Sequence, residues 1–425
     1  MPRASDKHAP LHGRRAWLRQ AGAGLSLALF KGNPGTTDPH ASQTGAVAPE
    51  FLSGQRLYQD IVTYCNIGEH RTATREDLKT ADWLAAQLKY VGLKTESHPF
   101  TAWQFFVDKV SLKVNGKSIE AFPLWQPQAT AKPVEAPLVY AGDGAGQSSA
   151  ALKGSIALIR FGAVIGGGPA ALQSLKAAAA AGAVGAVGIY ETLSGELFGH
   201  NLYQPMPLPT VVADAKDFPA LKQAAERGAK ASLLIAGKAD PQAKAFEVVG
   251  KLERGQRLIV VSTPYSAWFR AAGERGPGIA LWLALARWAA RRKSDVSYLF
   301  VASSGHELQG AGITSFVEHH APKPEQVHCW CHLGASIAAY DYERTPGGLK
   351  KLPRASNACR LMTNRQDLLP ILTDAFQNGG CQMNPIREET LESQAHARTI
   401  AGTLRAARLD PHLRARRSEW HAGLR

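Results

Sequence analysis

Between residues 246 and 338 short apolar runs alternate with helical ones. FEVVGKLERGQRLIVVST reads as strand, turn and strand, ending near Ser262, and residues 279–292 read as a helix rich in Ala and Leu. VSYLFVAS is a strand again, and the loop SGHELQGAGI opens another helix before the strand-like HCWCHLGASIA. No other feature restricts the fold as much. Parallel strands can be joined only by crossovers of a dozen or more residues, and the resulting sheet must be covered on both faces. The expectation is an α/β domain with a mixed, mostly parallel sheet sandwiched by helices and functional loops at the carboxyl ends of its strands.

The first half is read the same way. Residues 72–92 place Asp77 three positions after Thr74, a capping-box pattern. Leu78, Ala81, Ala85 and Leu88 share one face, Leu84 widens it, and Gly92 ends the helix. LKTESHPF and VDKVSLKVNGKSIEAFPL follow as alternating strands, with a hairpin turn at Asn115-Gly116. From Pro133 to Ala243 the texture changes to strand, strand, helix, strand, helix, with Ala and Gly allowing close packing of helix on sheet.

At 425 residues and 45% hydrophobic the chain predicts two domains. Its +14 formal charge is concentrated at the ends, +5 over residues 1–31 and +3 over residues 386–425. No dense basic face with interleaved aromatics remains between them, so a nucleic-acid partner is not expected. Five scattered cysteines do not form a disulfide framework, and Cys329 and Cys331 read as buried cysteines on one face of a strand, with Trp330 and His332 on the other. Paired Arg14-Arg15, an apolar run to Phe30 and Ala46-Val47-Ala48 predict a twin-arginine-like export signal over residues 1–48, and hence a periplasmic or secreted protein. No run is long and apolar enough for a membrane span.

The chemistry is expected where the loops converge. Gly-Glu-Arg-Gly-Pro-Gly at 273–278 leads into a helix, whose first N–H groups favour an anion. Glu274, Arg275, His306, Glu307 and His332 would all meet at the carboxyl edge of the sheet. A histidine beside a glutamate can exchange protons near neutrality, so the catalytic candidates are His306, Glu307, Glu274 and Arg275, and the metal candidates Glu274, Glu307 and His332. Ser266 lies in no nucleophile-elbow pattern. His70-Arg71 reads as a solvated loop pair, Trp282 and Trp288 as core residues, and His319-His320 as a helix-end cap.

Residues 154–160 (GSIALIR), 181–189 and 208–212 (LPTVV) resemble the marks of a protease-associated domain, a small β-rich insert. Residues 51–345 together resemble the zinc aminopeptidase family, metallopeptidase family twenty-eight, which includes bacterial leucyl aminopeptidases, glutamate carboxypeptidase and the transferrin receptor. The resemblance implies a zinc-exopeptidase-like fold and a pair of zinc ions about 3.5–4 Å apart that activate a bridging water. It also implies substituted ligands. Pro264 and Ser266 stand where the family has His-x-Asp, Glu274 stands for a bridging Asp, His306-Glu307 for a Glu-Glu pair and His332 for a later Asp; the last histidine has no evident counterpart. Such a set does not hold two zinc ions, so the expected cofactor is none or a single divalent metal, zinc included.

The expected division is an export leader over 1–48, a peptidase-like domain over 49–110 and 246–385, an insert over 111–245, and an Arg-rich tail over 386–425 that departs from the fold. Two functions follow: an exported hydrolase cleaving amide or peptide bonds at a rewritten site, or a non-catalytic protein holding a protein partner through the cleft or the insert.

Overall fold

In a computed structural model of the chain the described residues are 50–143, 152–163, 168–202, 204–334, 340–355 and 369–378. The expected export leader and Arg-rich tail lie outside them.

The first helices are α1 (Gly54–Ile67) and α2 (Arg75–Tyr90). Thr74 caps α2 by accepting from the Asp77 N–H at 3.4 Å. Two long strands follow the expected signals, β1 (Lys94–Val114) and β8 (Lys230–Leu252), antiparallel along nearly their whole length. The two short alternating runs are therefore parts of one strand. Asn115 and Gly116, both at positive φ, turn it into β2 (Lys117–Ile119), as a type I′ hairpin requires.

Between the long strands lie β3 (Ala121–Pro123), β4 (Val134–Asp143), β5 (Ile156–Ala163), α3 (Gly168–Ala180), β6 (Gly185–Glu191), β7 (Thr210–Ala213) and α4 (Phe218–Glu226). After them come β9 (Arg257–Pro264), α5 (Gly276–Arg291), β10 (Val296–Ser303), α6 (Ala311–His319) and β11 (Val327–His332), then the hairpin β12 (Tyr340–Thr345) and β13 (Gly348–Ala355), and α7 (Leu369–Asn378). The main sheet has the order β11-β9-β10-β8-β4-β5-β6-β7-β3, with β1 on β8. Its β9, β10 and β11 are parallel, as are β4 to β7, and β8 joins the two groups antiparallel to both β10 and β4. The expected boundaries at 110/111 and 245/246 fall inside β1 and β8.

Alternation along β8, β9 and β10 sends successive side chains to opposite faces. Val248, Val261, Phe300 and Ala302 pack against Leu84 and Leu88 of α2 and against Ile279, Trp282 and Leu283 of α5. Val249, Val260, Leu299 and Val301 pack on the other face against Ile313 and Phe316 of α6. An ion pair between buried Arg287 and Asp60, 2.5 Å apart, ties α5 to α1.

Two expectations are corrected. His70 and Arg71 are not solvated: His70 is fully buried, stacked on Tyr64 with ring centroids 3.7 Å apart, and Arg71 donates to the Phe105 carbonyl at 3.1 Å while covering the Phe122 ring. Cys331 is exposed rather than buried, because β11 pairs only with β9 among the described strands and so stands at a sheet edge.

Candidate functional site

Two crossovers bring the site together, because parallel β9 and β10 end side by side, Pro264 opposite Ser303. Just beyond, buried Tyr265 is pinned at both ends: its N–H donates to the Ser303 carbonyl at 3.0 Å and its hydroxyl to the Phe246 carbonyl at 2.8 Å. That anchoring fixes Ser266. The loop after β10 is held by left-handed turns at Gly305 (φ 76°) and Gly310 (φ 71°), a conformation other residues adopt only at a cost.

Ser266 and Arg275 then organise Glu307. The Ser266 hydroxyl donates to Glu307 Oε2 at 2.9 Å and accepts the His306 N–H at 3.0 Å. Arg275 donates through Nε to the Ser266 carbonyl at 3.0 Å and through Nη2 to Glu307 Oε1 at 2.7 Å. Its Nη1 lies 3.0 Å from Glu274 Oε1. The Arg275 side chain is 1% exposed and that of Glu307 8%, whereas Glu274 at 52% reaches solvent. Burial lowers the Arg275 guanidinium pKa, but Glu307 and Glu274 more than offset this and raise it. Burial pushes the Glu307 carboxyl up, with Glu274 adding to the shift and Arg275 and Ser266 opposing it. Arg275 also precedes the first turn of α5, whose N-terminal dipole favours both carboxylates.

Glu274, Arg275, His306 and Glu307 are thus brought together. Ligand atoms of Glu274, His306 and Glu307 lie within 4.8 Å of one another. His332 is the correction. It is not in that group; its Nδ1 lies 2.9 Å from the Ser262 hydroxyl, which also accepts from Trp330 Nε1 at 2.8 Å. As expected from strand alternation, Trp330 and His332 share a face, and Trp330 packs there against Phe316 of α6.

An acid whose position in the sequence predicts a helix cap lies beneath this cluster. Asp77 is fully buried, accepts the Ala73 N–H at 2.8 Å and receives the Ser304 hydroxyl at 2.8–2.9 Å. In a capping box it would reach back to the Thr74 N–H; instead it pins the first residue of the β10 loop to α2. Burial pushes its carboxyl up to about 8, with the neighbouring Glu307 adding to the shift. The local signal, Thr74 with Asp77, reports helix capping and carries nothing about Ser304, 227 residues away.

The donor set does not fit a zinc pair. Pro264 has no donor side chain, the Ser266 hydroxyl is spent on Glu307, and both Glu307 oxygens are already engaged. A guanidinium 2.7 Å from that carboxylate repels a second cation, and two dications need several anionic or imidazole ligands. Glu274, His306 and Glu307 suit one ion at most.

No family model and no curated protein matches the sequence. Solved structures do resemble the fold. The structure of a Peptidase M28 precursor from Shewanella amazonensis superposes with a TM-score of 0.62 at 12% identity, over 92% of this chain and 85% of that one. The fold is that of the zinc aminopeptidases. BSAP, a zinc aminopeptidase from Bacillus subtilis, matches with a TM-score of 0.58 at 20% identity, over 78% of this chain and 84% of its own; a second structure of it gives 0.54 at 23%, over 65% and 68%. This chain therefore keeps a zinc aminopeptidase framework around a cluster built on a buried arginine.

Proposed function

We propose that this chain uses the aminopeptidase cleft to bind peptide or amide groups, and that it does not perform two-zinc peptide hydrolysis. The observation that carries the reading is the commitment of Glu307: one oxygen to Arg275, the other to Ser266. In the family the charge facing the scissile carbonyl comes from metal; here the buried cation is a guanidinium bonded to Glu307, with the Glu274 carboxylate 3.0 Å away. With Glu274 exposed beside it, the rim offers an acid to a ligand amine, as a peptide N-terminus would present, at the N-terminus of α5.

A second reading rests on His306, grouped with Glu274 and Glu307. In it His306 acts as the general base of a metal-free amide hydrolysis or, as an alternative, serves with Glu274 and Glu307 as a ligand to one divalent ion that would activate the water instead. Residues 111–245 are read as an inserted protease-associated module able to hold a protein partner, and residues 1–48 as an export leader. Recovery of a mature protein beginning after Ala48 tests the leader.

Incubation of the purified protein with a panel of aminoacyl amides and N-terminally free peptides, with added zinc, separates the two. The binding reading expects calorimetric binding of a peptide with a free amine, weakened at least tenfold by Glu274→Gln, and no cleavage. Cleavage abolished by His306→Ala would replace it with the hydrolase reading.

A further inference from the structure

On the α6 face of the sheet, away from the loop cluster, Glu247 is fully buried, and its carboxylate oxygens have no partner of good hydrogen-bond geometry, the Ser315 hydroxyl of α6 being close enough only to oppose the rise in its pKa. It sits in β8 opposite two strands, paired with His98 of β1 on one side and Ser303 of β10 on the other. His320 ends α6 immediately above. Ligand atoms of His98, Glu247 and His320 lie within 4.8 Å of one another, and the two imidazole centroids are 4.0 Å apart.

The surroundings are those of a ligand set. His98 Nε2 lies 3.2 Å from Glu96 Oε2, and Glu96 is held in turn by Lys251 at 2.9 Å through each oxygen. His98 Nδ1 is buried without a partner. A histidine with one nitrogen on a carboxylate and the other left without a partner beside a buried acid is placed as metal-bound histidines are. Leaving a buried carboxylate without a well-formed hydrogen bond is costly, and a cation between it and the imidazoles would remove that cost. Burial pushes the Glu247 carboxyl up to about 7. His320 is exposed and leaves a path for an ion from solvent.

We propose that His98, Glu247 and His320 bind one transition-metal ion of the zinc class, at the seam of β1, β8 and α6. Two imidazoles and a carboxylate are the donor set zinc takes when its fourth position stays open to water. The ion would fasten the C-terminal end of α6 to the sheet, and α6 directly follows the loop that carries His306 and Glu307.

The test is titration of the chelator-stripped, full-length protein with Co2+, followed by displacement with Zn2+. One equivalent of cobalt should give visible d–d absorption that zinc removes, and zinc should raise the melting temperature. His320→Ala, at an exposed position that leaves folding intact, should weaken binding at least tenfold and remove the zinc-induced shift. Glu96→Gln should weaken it about tenfold to a hundredfold, as loss of an orienting carboxylate does. Absence of cobalt absorption in the wild type would overturn the proposal, as would a spectrum kept in His320→Ala.

Discussion

Nη2 of Arg275 lies 2.7 Å from Oε1 of Glu307, with both side chains almost wholly shielded from water. The pair occupies the meeting point of two crossover loops, so its charges are fixed by the same packing that aligns β9 and β10. Removing one member leaves the other as an unpaired buried charge.

Arg275→Ala should therefore destabilise the protein by about 3–5 kcal/mol, and replacing both residues with apolar ones of similar volume should recover much of that loss. Urea denaturation of the single and double variants measures it. A single variant as stable as wild type would show that the pair is not buried in solution.

Asp77 makes stability depend on pH. Its carboxyl titrates at about 8 in the folded protein, against about 3.9 in an unfolded chain. The folded state therefore holds the proton more tightly. The stability this contributes is fully present below about pH 4 and is lost as pH rises through about 8, by at most about 1.4 kcal/mol per pH unit. Buried His70, lowered to about 4, works in the opposite sense: its contribution is present above about 6.5 and is lost as pH falls through about 4. Comparing wild type with Asp77→Asn cancels the His70 contribution, and the difference should shift steadily against wild type from about pH 5 to 8.

Gly312 allows α6 to rest directly on the site loop. A Cβ there would lie 2.4 Å from the Ser304 carbonyl oxygen and 2.9 Å from the Phe100 ring. Gly312→Ala should push Ser304 away from Asp77 and cost about 1–3 kcal/mol. A melting temperature within a degree of wild type would contradict this contact.

Tyr64 holds the other side of the site. Its hydroxyl donates to the Tyr265 carbonyl at 2.8 Å, and its ring stacks on His70. Tyr64→Phe keeps the stack and leaves that carbonyl unsatisfied, for an expected loss of about 1–3 kcal/mol. If chemical denaturation finds the variant unchanged, the carbonyl has another donor.

Much of the framework was legible because its signals are local. The period of the apolar residues marks α2, α5 and β10, Asn115-Gly116 marks a hairpin, and Thr74 marks a helix start; each acts within one or two turns of chain. The same locality misled at residues 94–114, where two alternating runs proved to be one strand, because only pairing with β8 along its length decides where a strand ends.

The composition of the loops likewise marked Glu274, Arg275, His306 and Glu307 as a group, since residues at the ends of adjacent parallel strands must be neighbours. Which of them bond was decided by the tertiary structure alone. Ser266 meets Glu307 across 41 residues, and Ser304 meets Asp77 across 227. His332 turns to Ser262, and Glu247 comes to rest between His98 and His320. Hydrogen bonds and ion pairs reach only about 3 Å, so their partners depend on register and helix placement to within a fraction of a residue, and that information belongs to the packed sheet as a whole.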